Sequence, residues 1–580
     1  MTAVLAVLCL GASAPDALHD WFPHPPVPTK LLVVPFEGDA RRGMLLESLA
    51  GLAAAYCNEH GPGTLVWEDL DHSDYRRWRD ELVAAHNTEV ARMTLEDALR
   101  GLCARGVVGG YLLYRYDSGD RALFTPGECD ESANVATSLA GLLGGVVVAE
   151  DLEPVAKERG LSLLLDCRGM TEEQCLDGYG GRFSTLGVGT ADPKTRNARS
   201  LMIANKLFVS SGRGPAYARS LARCGPDSPV IGWGIGGEDE QTIASSRRGL
   251  FQTATNWCHN LTVLSAERPR EDIAWDRLSV RETAEGGPTP EKGKHYVCLT
   301  LTDGDNVQWL MGNFIGGSEG RSYYGSPSRG SVPFTWGLPV PGLLQLSPRT
   351  LADVLGTATP NDDFVMYSGG GYFYPDVYGA DRAEDCLALH ARRLRAVMER
   401  TGVRILAFNF QDWDSDAALR ACSVMARELP GLLGIFAFQY YPYSAGEGRI
   451  VFVEGADGDR VPVVSCRYTV WAKTGRERDT TPGKVAEALG SLPVVGAHAT
   501  RDCFSWVLVH AWSRFREPGP GVTPEDEDDV LQDAESAGSS RGYDPALWTA
   551  RQLPPHVALV TATEFLRLIR AALAPCAQPR

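Results

Sequence analysis

The sequence predicts an α/β protein with two domains, and three observations lead to this fold class. Beyond residue 295, strand-like runs alternate with helical segments seven or eight times, which is typical of a β/α barrel. Before residue 268 the alternation is less regular, and the pentapeptide SLAGL occurs at both 48–52 and 138–142, which indicates related α/β units. Between these parts, residues 269–294 are polar and interrupt the apolar periodicity, which predicts a linker.

The predicted barrel, at 295–575, has strand candidates rich in β-branched and aromatic residues. The clearest helix between them lies at 385–401, where apolar side chains fall on one face and Gly402 follows as a C-terminal cap. A doubly wound open sheet is the alternative arrangement of the same pattern. The strand candidates are 296–302, 332–336, 364–368, 403–410, 433–438, 461–467, 505–511 and 557–561.

Composition excludes several classes of function. The chain has 580 residues, of which 44% are hydrophobic and 22% charged, as in ordinary globular proteins. The net charge is −17 and the basic residues are scattered, so a nucleic acid is not expected as a partner. No apolar run is long enough to cross a bilayer. Neither composition nor cysteine spacing predicts a metal or another cofactor, and the oligomeric state is left open.

The first 28 residues are interpreted as a possible leader segment. An apolar run at 3–10 precedes Ala12-Ser13-Ala14, which fits a small-residue cleavage site, although no positive charge precedes the run. This pattern favours a secreted or periplasmic location, and a cytoplasmic location stays open. The N-terminal domain would then occupy 29–268.

A dense polar cluster directly follows the first predicted barrel strand. Asp303, Asp305 and Asn306 come after the apolar run 296–302, and residues beyond the carboxyl ends of barrel strands face the open mouth. Alternate residues of an extended segment point the same way, ~7 Å apart at Cα, so the two aspartates are able to hold one water. Inverting glycosidases need such a base and a separate acid, ~6.5–9.5 Å away. The alternative is a turn in which Asp305 or Asn306 caps the next helix.

Aromatic and polar residues at other predicted strand ends favour a carbohydrate ligand, because sugar rings stack their C–H faces on flat side chains. Each aromatic residue taken singly also fits a core position. Asp412 and His510 are further polar candidates that follow strands. The aromatic candidates are Trp309, Trp336, Tyr372, Tyr374, Tyr440, Tyr441 and Trp512.

Two other motifs in the chain allow different interpretations. A G-x-G-x-x-G pattern at 232–237 follows a strand-like run, but Glu238, Asp239 and Glu240 come next, where a pyrophosphate would need a positive helix start. A metal-dependent polysaccharide deacetylase also ends its first barrel strand with paired aspartates. No histidine pair or second metal-ligand motif accompanies Asp303 and Asp305 in this chain, so no metal site is predicted.

The stretch SGGGYFYPDVYG, at 368–379, contains G-x-G-Y-x-Y-P in full. This motif resembles the signature of the GxGYxYP family, whose members are proposed glycoside hydrolases. The resemblance extends from about 31 to 570 through PVIGWG, LTDGDNVQW and VALVTATEFLRLIR. It implies an N-terminal domain of three divergent α/β repeats, a seven-stranded β/α barrel, and a cleft between them, so one of the eight strand candidates would be spurious.

The resemblance also implies a set of site residues. A glutamate of the N-terminal domain would face Asp303 and Asp305 and act as the acid, while the aspartates hold water. That glutamate is Glu240 or Glu238; the sequence after Glu240 favours Glu240, and the extra Gly-Gly before it leaves the register open.

The implied function is hydrolysis of a poly- or oligosaccharide in the cleft. The alternatives are the metal-dependent deacetylase and a non-catalytic carbohydrate-binding protein. The expected substrate-binding residues are Asn306, Trp309, Tyr372, Tyr374, Gly371, Asp412, Tyr440, His510 and Trp512.

Overall fold

The computed structural model describes most of the chain between residues 18 and 573. The described ranges are 18–196, 198–267, 288–316, 320–456, 458–472, 474–476, 478–523, 527–528 and 538–573. The leader interpretation of 1–28 falls mainly on residues outside these ranges, and so does most of the linker predicted at 269–294. The proposed domain boundaries therefore stay predictions.

The N-terminal region is built from three small parallel sheets, each flanked by helices. The first sheet has the strand order β2-β1-β3, the second β5-β4-β6 and the third β10-β9-β7-β8. The strands are β1 Lys30–Pro35, β2 Thr64–Asp69, β3 Glu89–Arg92, β4 Gly110–Tyr114, β5 Gly145–Ala149, β6 Leu163–Asp166, β7 Val188–Thr190, β8 Val209–Ser210, β9 Pro229–Ile231 and β10 Phe251–Thr253. Three sheets in succession confirm the predicted α/β units.

Helices connect these strands as parallel pairing requires. The repeated SLAGL pentapeptides lie on the first and fourth helices, whose buried faces pack against the neighbouring sheets. The helices are α1 Ala40–His60, α2 Ser73–His86, α3 Leu95–Ala104, α4 Ser132–Leu143, α5 Glu153–Glu158, α6 Glu172–Tyr179, α7 Arg199–Ala204, α8 Gly214–Arg223, α9 Glu238–Arg247 and α10 Leu261–Leu264.

The C-terminal region forms a closed parallel barrel of seven strands, which confirms the predicted barrel and excludes the open sheet. Around the ring each strand pairs with the next, and the ring closes through a bridge between Thr300 and Thr335. The barrel strands are β11 His295–Leu301, β12 Phe334–Leu338, β13 Asp362–Tyr367, β14 Ile405–Phe410, β15 Gly434–Gln439, β17 Arg460–Val470 and β19 Phe504–Val509.

The eighth strand candidate, at 557–561, is a strand outside the ring. Val557–Leu559 pairs with His295–Val297, the first half of β11, whereas the closing bridge to β12 lies at Thr300 in the second half. The last strand therefore pairs with β11 where β12 diverges, and only Val557 of its three residues is buried. The strands outside the ring are β16 Ile450–Glu454, β18 Asp479–Thr480, β20 Phe515–Arg516, β21 Ser539–Ser540 and β22 Val557–Leu559.

Helices cover the outside of the barrel, and aromatic rings fill its interior. The helix predicted at 385–401 begins one residue later, because the Asp385 side chain caps it by accepting from the Ala388 N–H. Inside the ring, Phe436 and Trp506 stack with centroids 4.5 Å apart. The helices are α11 Val307–Trp309, α12 Val340–Leu346, α13 Pro348–Gly356, α14 Cys386–Thr401, α15 Asp416–Glu428, α16 Pro482–Gly490, α17 Tyr543–Gln552 and α18 Ala562–Leu573.

No helix in the described ranges is long and apolar enough to cross a membrane.

Candidate active site between the two domains

The barrel side of the site is a tight turn at the carboxyl end of β11. Asp303 adopts a left-handed backbone conformation with φ 62°, which aspartate tolerates better than most residues. Gly304 packs directly on the backbone of Gly337 at the end of β12, where a side chain would collide with the Gly337 carbonyl group. This close approach fixes both aspartates at the barrel rim.

Each aspartate has its own hydrogen-bond partners. The Thr302 hydroxyl donates to Asp303 Oδ2 at 2.5 Å, and the Trp512 side chain also bonds to this carboxylate. Asp305 is buried, with 6% of its surface exposed. It accepts from Asn306 Nδ2 at 2.7 Å, and Ser368 Oγ lies 3.4 Å from its Oδ2.

These contacts do not support the helix-capping alternative. Asn306 occupies the N-cap position of α11, but its side chain makes no capping hydrogen bond to that helix. Its amide group donates to Asp305 instead. The side chains of the acidic turn therefore bond to one another at the barrel rim and do not cap the helix.

The N-terminal domain contributes Glu238, the first residue of α9, to the opposite side. Glu238 is exposed in the cleft, yet its carboxyl group is closely surrounded by protein atoms. This desolvation, with the negative charge of Asp303, raises its pKa to about 7. The Tyr372 hydroxyl is its hydrogen-bond partner and partly opposes the increase. Glu238 is therefore a carboxyl group that holds a proton near neutral pH.

The two aspartates are also shifted. Burial, followed by the charges of Asp303 and Glu238, raises the pKa of Asp305 to about 8. Burial raises the pKa of Asp303 as well, while the bonds from Thr302 and Trp512 favour its ionised form. The three carboxyl groups thus form one electrostatic cluster that shares protons at neutral pH.

The geometry favours Glu238 over Glu240 as the facing glutamate, opposite to the preference drawn from the sequence. Glu240 is exposed on the first turn of α9, whereas the charge of Glu238 acts on Asp305 and on three cleft tyrosines. Side chains two positions apart on a helix point in different directions. The first helical position therefore faces the barrel, and the third does not.

The G-x-G-Y-x-Y-P loop joins the barrel to the N-terminal domain. Gln252 of β10 and Tyr372 exchange two backbone hydrogen bonds, with N···O distances of 2.8 and 2.6 Å. Gly371 permits this approach, because a Cβ atom there would lie 2.7 Å from the Phe251 ring and 2.8 Å from the Gln252 carbonyl oxygen. Gly371 was expected to contact substrate; in the structure its backbone packs against the N-terminal domain.

The two tyrosines of the motif have different surroundings. The Tyr372 hydroxyl accepts from Asn409 Nδ2 at 2.8 Å and bonds to Glu238, so Tyr372 acts through its hydroxyl group rather than as a flat platform. Tyr374 is completely buried, and its hydroxyl donates to Asp239 Oδ1 at 2.7 Å. Tyr374 was expected to bind substrate; its burial instead makes it an anchor for the first turn of α9.

Aromatic side chains from three barrel loops line the cleft beside the carboxyl cluster. Tyr440 and Tyr441 follow β15, and their ring centroids are 4.6 Å apart. Tyr441 is 44% exposed. Trp471 stacks on His510 at 4.0 Å with an interplanar angle of 12°, and burial lowers the pKa of His510 to about 3. His510 is therefore neutral, and its stacked position supports Trp471.

Of the remaining predicted residues, Trp309 and Trp512 lie beside the carboxyl cluster, whereas Asp412 and Trp336 lie outside it. Trp309 packs edge-on against Trp512, with centroids 4.7 Å apart, so it orients the indole that contacts Asp303. Asp412 is exposed, and its backbone N–H donates to Asp376 at 2.9 Å. The structure does not join Asp412 to the three carboxyl groups, because the turn after β14 directs it to solvent. Trp336 lies in the core, where its indole N–H donates to Asp362.

Several cleft residues were missed by sequence reasoning. The charges of both aspartates help to raise the pKa of Tyr367 of β13. Asn409 of β14 donates a hydrogen bond to Tyr372. Trp233 packs edge-on against Tyr372, with ring centroids 6.1 Å apart. Tyr367 and Asn409 sit inside strands, where a polar residue in an apolar run signals a barrel-facing position. The pattern FNF at 408–410 carried this signal.

The three site carboxyl groups do not form a compact metal-ligand set. Within the described part of the chain, the group of three potential ligands whose donor atoms lie within 4.8 Å of one another is Glu47, Glu68 and His259, inside the N-terminal domain. The Arg196 guanidinium forms an ion pair with Glu68 there. Neither place therefore supports the metal centre that a deacetylase requires.

A closed parallel barrel whose strand ends carry clustered carboxyl groups, facing a second α/β domain across an aromatic cleft, has the arrangement of a barrel hydrolase. Two domain models of one family match the chain: "GxGYxYP putative glycoside hydrolase C-terminal domain" at 293–517 and "GxGYxYP_N second domain" at 123–183. Both matching models are of the GxGYxYP family, which confirms the resemblance that the motif at 368–379 implied. A comparison with curated proteins finds no match.

The fold is shared with a solved structure, described as a "putative hydrolase from Bacteroides thetaiotaomicron VPI-5482". The similarity covers 95% of this chain and 96% of the other, with a TM-score of 0.75 and 21% sequence identity. At this identity the likeness establishes the common fold alone. The family match supports a hydrolase at a coarse level.

Proposed function

We propose that the protein is a glycoside hydrolase that cleaves a poly- or oligosaccharide in the cleft between its two domains. The observation that carries this proposal is the placement of Glu238 opposite Asp303 and Asp305, in one electrostatic cluster whose carboxyl groups come from different domains. A glycosidic bond needs a proton donor and a separate carboxylate on either side of it. The family name and the aromatic lining of the cleft support a sugar as the bound group.

In this proposal Glu238 is the general acid. Its pKa of about 7 keeps a large fraction protonated at neutral pH, and its exposure in the cleft lets it reach the oxygen of the leaving sugar. The Tyr372 hydroxyl orients the carboxyl group and is itself fixed by Asn409. Protonation of the glycosidic oxygen by Glu238 would accompany departure of the leaving sugar.

Asp303 is assigned as the general base. The Thr302 hydroxyl and the Trp512 side chain both stabilise its ionised form, so it is the cluster member best suited to accept a proton from water. Asp305, with a pKa of about 8, keeps its proton and orients the same water. This division follows the pattern in which neighbouring carboxyl groups take different roles because their surroundings differ.

The test is an activity screen of the whole protein with soluble oligosaccharides and polysaccharides, by reducing-end release and product chromatography, together with E238Q and D305N. Turnover by the unmutated protein and its loss in E238Q, with binding retained, would support the proposal. Turnover that EDTA abolishes would indicate the metal-dependent deacetylase instead, and released acetate would identify it directly.

A non-catalytic carbohydrate-binding protein is the second candidate, because the aromatic cleft would suit binding alone. Calorimetric binding of a sugar, without turnover across the whole panel and without any change in E238Q, would favour this candidate. The pKa of Glu238 argues against it, since hydrogen bonding to sugar hydroxyl groups needs no proton donor near neutrality.

A further inference from the structure

A pair of aromatic rings, one exposed and one partly buried, lies at the surface of the N-terminal domain, outside the carboxyl cluster. Trp257 is 42% exposed, and among the tryptophans that the structure describes it is the only one in the exposed class. Phe124 packs edge-on against it, with ring centroids 5.7 Å apart and an interplanar angle of 75°. Two large rings held together at the surface, rather than in a core, require an explanation.

The position of Phe124 is fixed by a strained and well-supported turn. Phe124 has φ 59°, a conformation that is unusual for a bulky residue. Its N–H donates at 2.8 Å to Asp192 Oδ2, and Asp192 is fully buried and bound by both terminal nitrogens of Arg121, at 2.9 and 2.6 Å. Strain maintained by such a network is typical of functional positions.

The aromatic pair is continuous with the cleft. Trp257 follows Asn256, whose side chain pairs with the backbone N–H and C=O of Trp233, at 2.7 and 2.8 Å. The Asn256 N–H also donates at 2.9 Å to Oε1 of Gln308 in the barrel. Gln308 is three residues beyond Asp305, and Trp233 packs near Tyr372. The segment carrying Trp257 therefore lies where both walls of the cleft meet.

Lys194 and Arg121, the basic residues beside the Phe124 turn, already make hydrogen bonds within the protein. Lys194 Nζ donates to the Arg121 carbonyl oxygen at 2.8 Å, and Arg121 donates to Asp192 and to the carbonyl oxygens of Ala122 and Thr125. The surface offered beside Trp257 is thus aromatic, which suits the C–H face of an uncharged sugar ring better than a charged one.

We propose that Trp257 and Phe124 form a binding subsite for a neutral sugar unit of the glycan, beyond the units at the carboxyl cluster. The ligand is then an oligosaccharide or polysaccharide whose chain extends from the cluster across the rim of the N-terminal domain. This inference rests on the proposed carbohydrate ligand but not on its cleavage.

Binding by oligosaccharides of increasing length tests the subsite. The probes are cello-, xylo-, manno- and malto-oligosaccharides from disaccharide to hexasaccharide, titrated calorimetrically into the whole protein carrying E238Q to prevent turnover. We expect affinity to increase with length. Adding W257A, or F124G, which removes the ring but accepts the left-handed turn, should weaken binding of the long probes about three- to tenfold and leave the shortest bound probe unchanged.

Three controls make the result specific. W257F should retain most of the affinity for long probes, because it keeps an aromatic face. Tyr56 is also an exposed aromatic residue of the N-terminal domain, at 37%, but it stacks on His60 near the end of α1. Y56A should therefore leave every affinity unchanged. Thermal melting of each variant verifies that the fold is intact.

The outcomes separate this inference from the proposed function. Length-dependent binding that requires Trp257, in a protein that cleaves none of the probes, supports the subsite and overturns the hydrolase. Cleavage of the probes by the unmutated protein, together with equal affinities in E238Q and in E238Q carrying W257A, overturns the subsite alone. An equal loss for short and long probes, or no length dependence in the parent for any ladder, also overturns the subsite.

Discussion

The carboxyl groups on the two walls of the cleft are held in place in different ways. On the barrel wall, Asp303 and Asp305 belong to a turn locked between two strand ends, and Asp305 is almost completely buried. On the N-terminal wall, Glu238 is exposed at the start of a helix, and it is positioned by contacts that come from the barrel. One wall is rigid by construction, whereas the other acquires its geometry when the domains pack together.

The difference matters for chemistry. A water molecule held by two aspartates needs a fixed site, which a barrel rim supplies. A proton donor must approach the oxygen of a variable leaving group and must lie on a surface that a glycan can reach. The division of roles between a rigid base and an accessible acid therefore follows from the fold, and the predictions below test it from the largest expected effect to the smallest.

The largest effect is expected from E238Q on an unactivated glycosidic bond. The amide cannot donate the proton that Glu238 supplies, so turnover should fall about 10³–10⁴-fold. On an aryl glycoside with an acidic phenol, which departs without protonation, the loss should be far smaller. Matched kinetics on both substrate types measure the difference.

E240Q is the control for this prediction. Glu240 is two residues along the same helix and equally charged, so its replacement should leave both rates unchanged. A large loss in E240Q with normal turnover in E238Q would transfer the acid role to Glu240.

Substitution D303N tests the opposite wall, and we expect a loss of about 10²–10³-fold on both substrate types, because the base is needed whatever the leaving group. Restoration of the aryl-glycoside rate by added azide, a small nucleophile that replaces water, would identify the missing base. D412N, in the exposed turn after β14, is the matched control and should behave like the parent. If D303N retained full activity, Asp303 would not be the base.

The pH dependence of kcat/KM should show a descending limb near pH 7. In the proposed mechanism Glu238 acts in its protonated form, and its pKa is about 7, so the active fraction should fall as the pH rises above this value. E238Q should lose this limb on aryl glycosides, because the titrating group is absent. A limb that persists unchanged in E238Q would belong to another group.

Disturbing the contact between the walls should have a moderate effect. In G371A the new methyl group would meet Phe251 and the Gln252 carbonyl oxygen, which should reduce stability by about 1–3 kcal/mol and lower activity by misplacing Glu238. G370A is the milder comparison, since its methyl group would lie 3.3 Å from His390 and 3.4 Å from Phe251, so these side chains would need to shift only slightly. Urea unfolding and kcat measured together would reveal an activity loss without the expected destabilisation, which would contradict this mechanism.

The smallest effect concerns stability and pH. The pKa of Asp305 is raised from 3.8 to about 8 in the folded state, so the folded protein binds this proton more tightly than the unfolded chain. Folding stability from this site is present at low pH and is lost as the pH rises toward 8. D305N removes the ionisation, so its melting temperature should exceed that of the parent by a few degrees, roughly 2–4 °C, at pH 8. The two proteins should melt alike at pH 4, and the reverse order would contradict the assigned shift.

The sequence predicted the barrel wall better than the facing wall. The acidic turn at Asp303 and Asp305 follows an apolar strand directly, and a strand end fixes its own position at the barrel mouth. The direction of the Glu238 side chain depends on the residue at which α9 begins after a glycine-rich turn. Contacts of Asp239 with Tyr374 and Gln411 of the barrel fix that start. Those contacts are remote in sequence, so the local pattern alone favoured Glu240, whereas the geometry favours Glu238.

The motif tyrosines illustrate the same limit. Tyr372 and Tyr374 were both expected at the substrate, because alternation in an extended segment does not reveal what lies on each side. The structure shows the N-terminal domain on the Tyr374 side. Similarly, the sequence contains eight strand-like apolar runs, but apolar character alone does not reveal that Val557–Leu559 lies outside the ring.

The shared backbone bridge between Gln252 and Tyr372 has a practical consequence. Separating the lobes would leave main-chain donors and acceptors unpaired and uncover the apolar surfaces that surround them. The two halves are therefore poor candidates for separate expression, and heating should unfold them in a single calorimetric peak. If the proposed function is right, a sugar chain would bind in a preformed site rather than in one that closes around it.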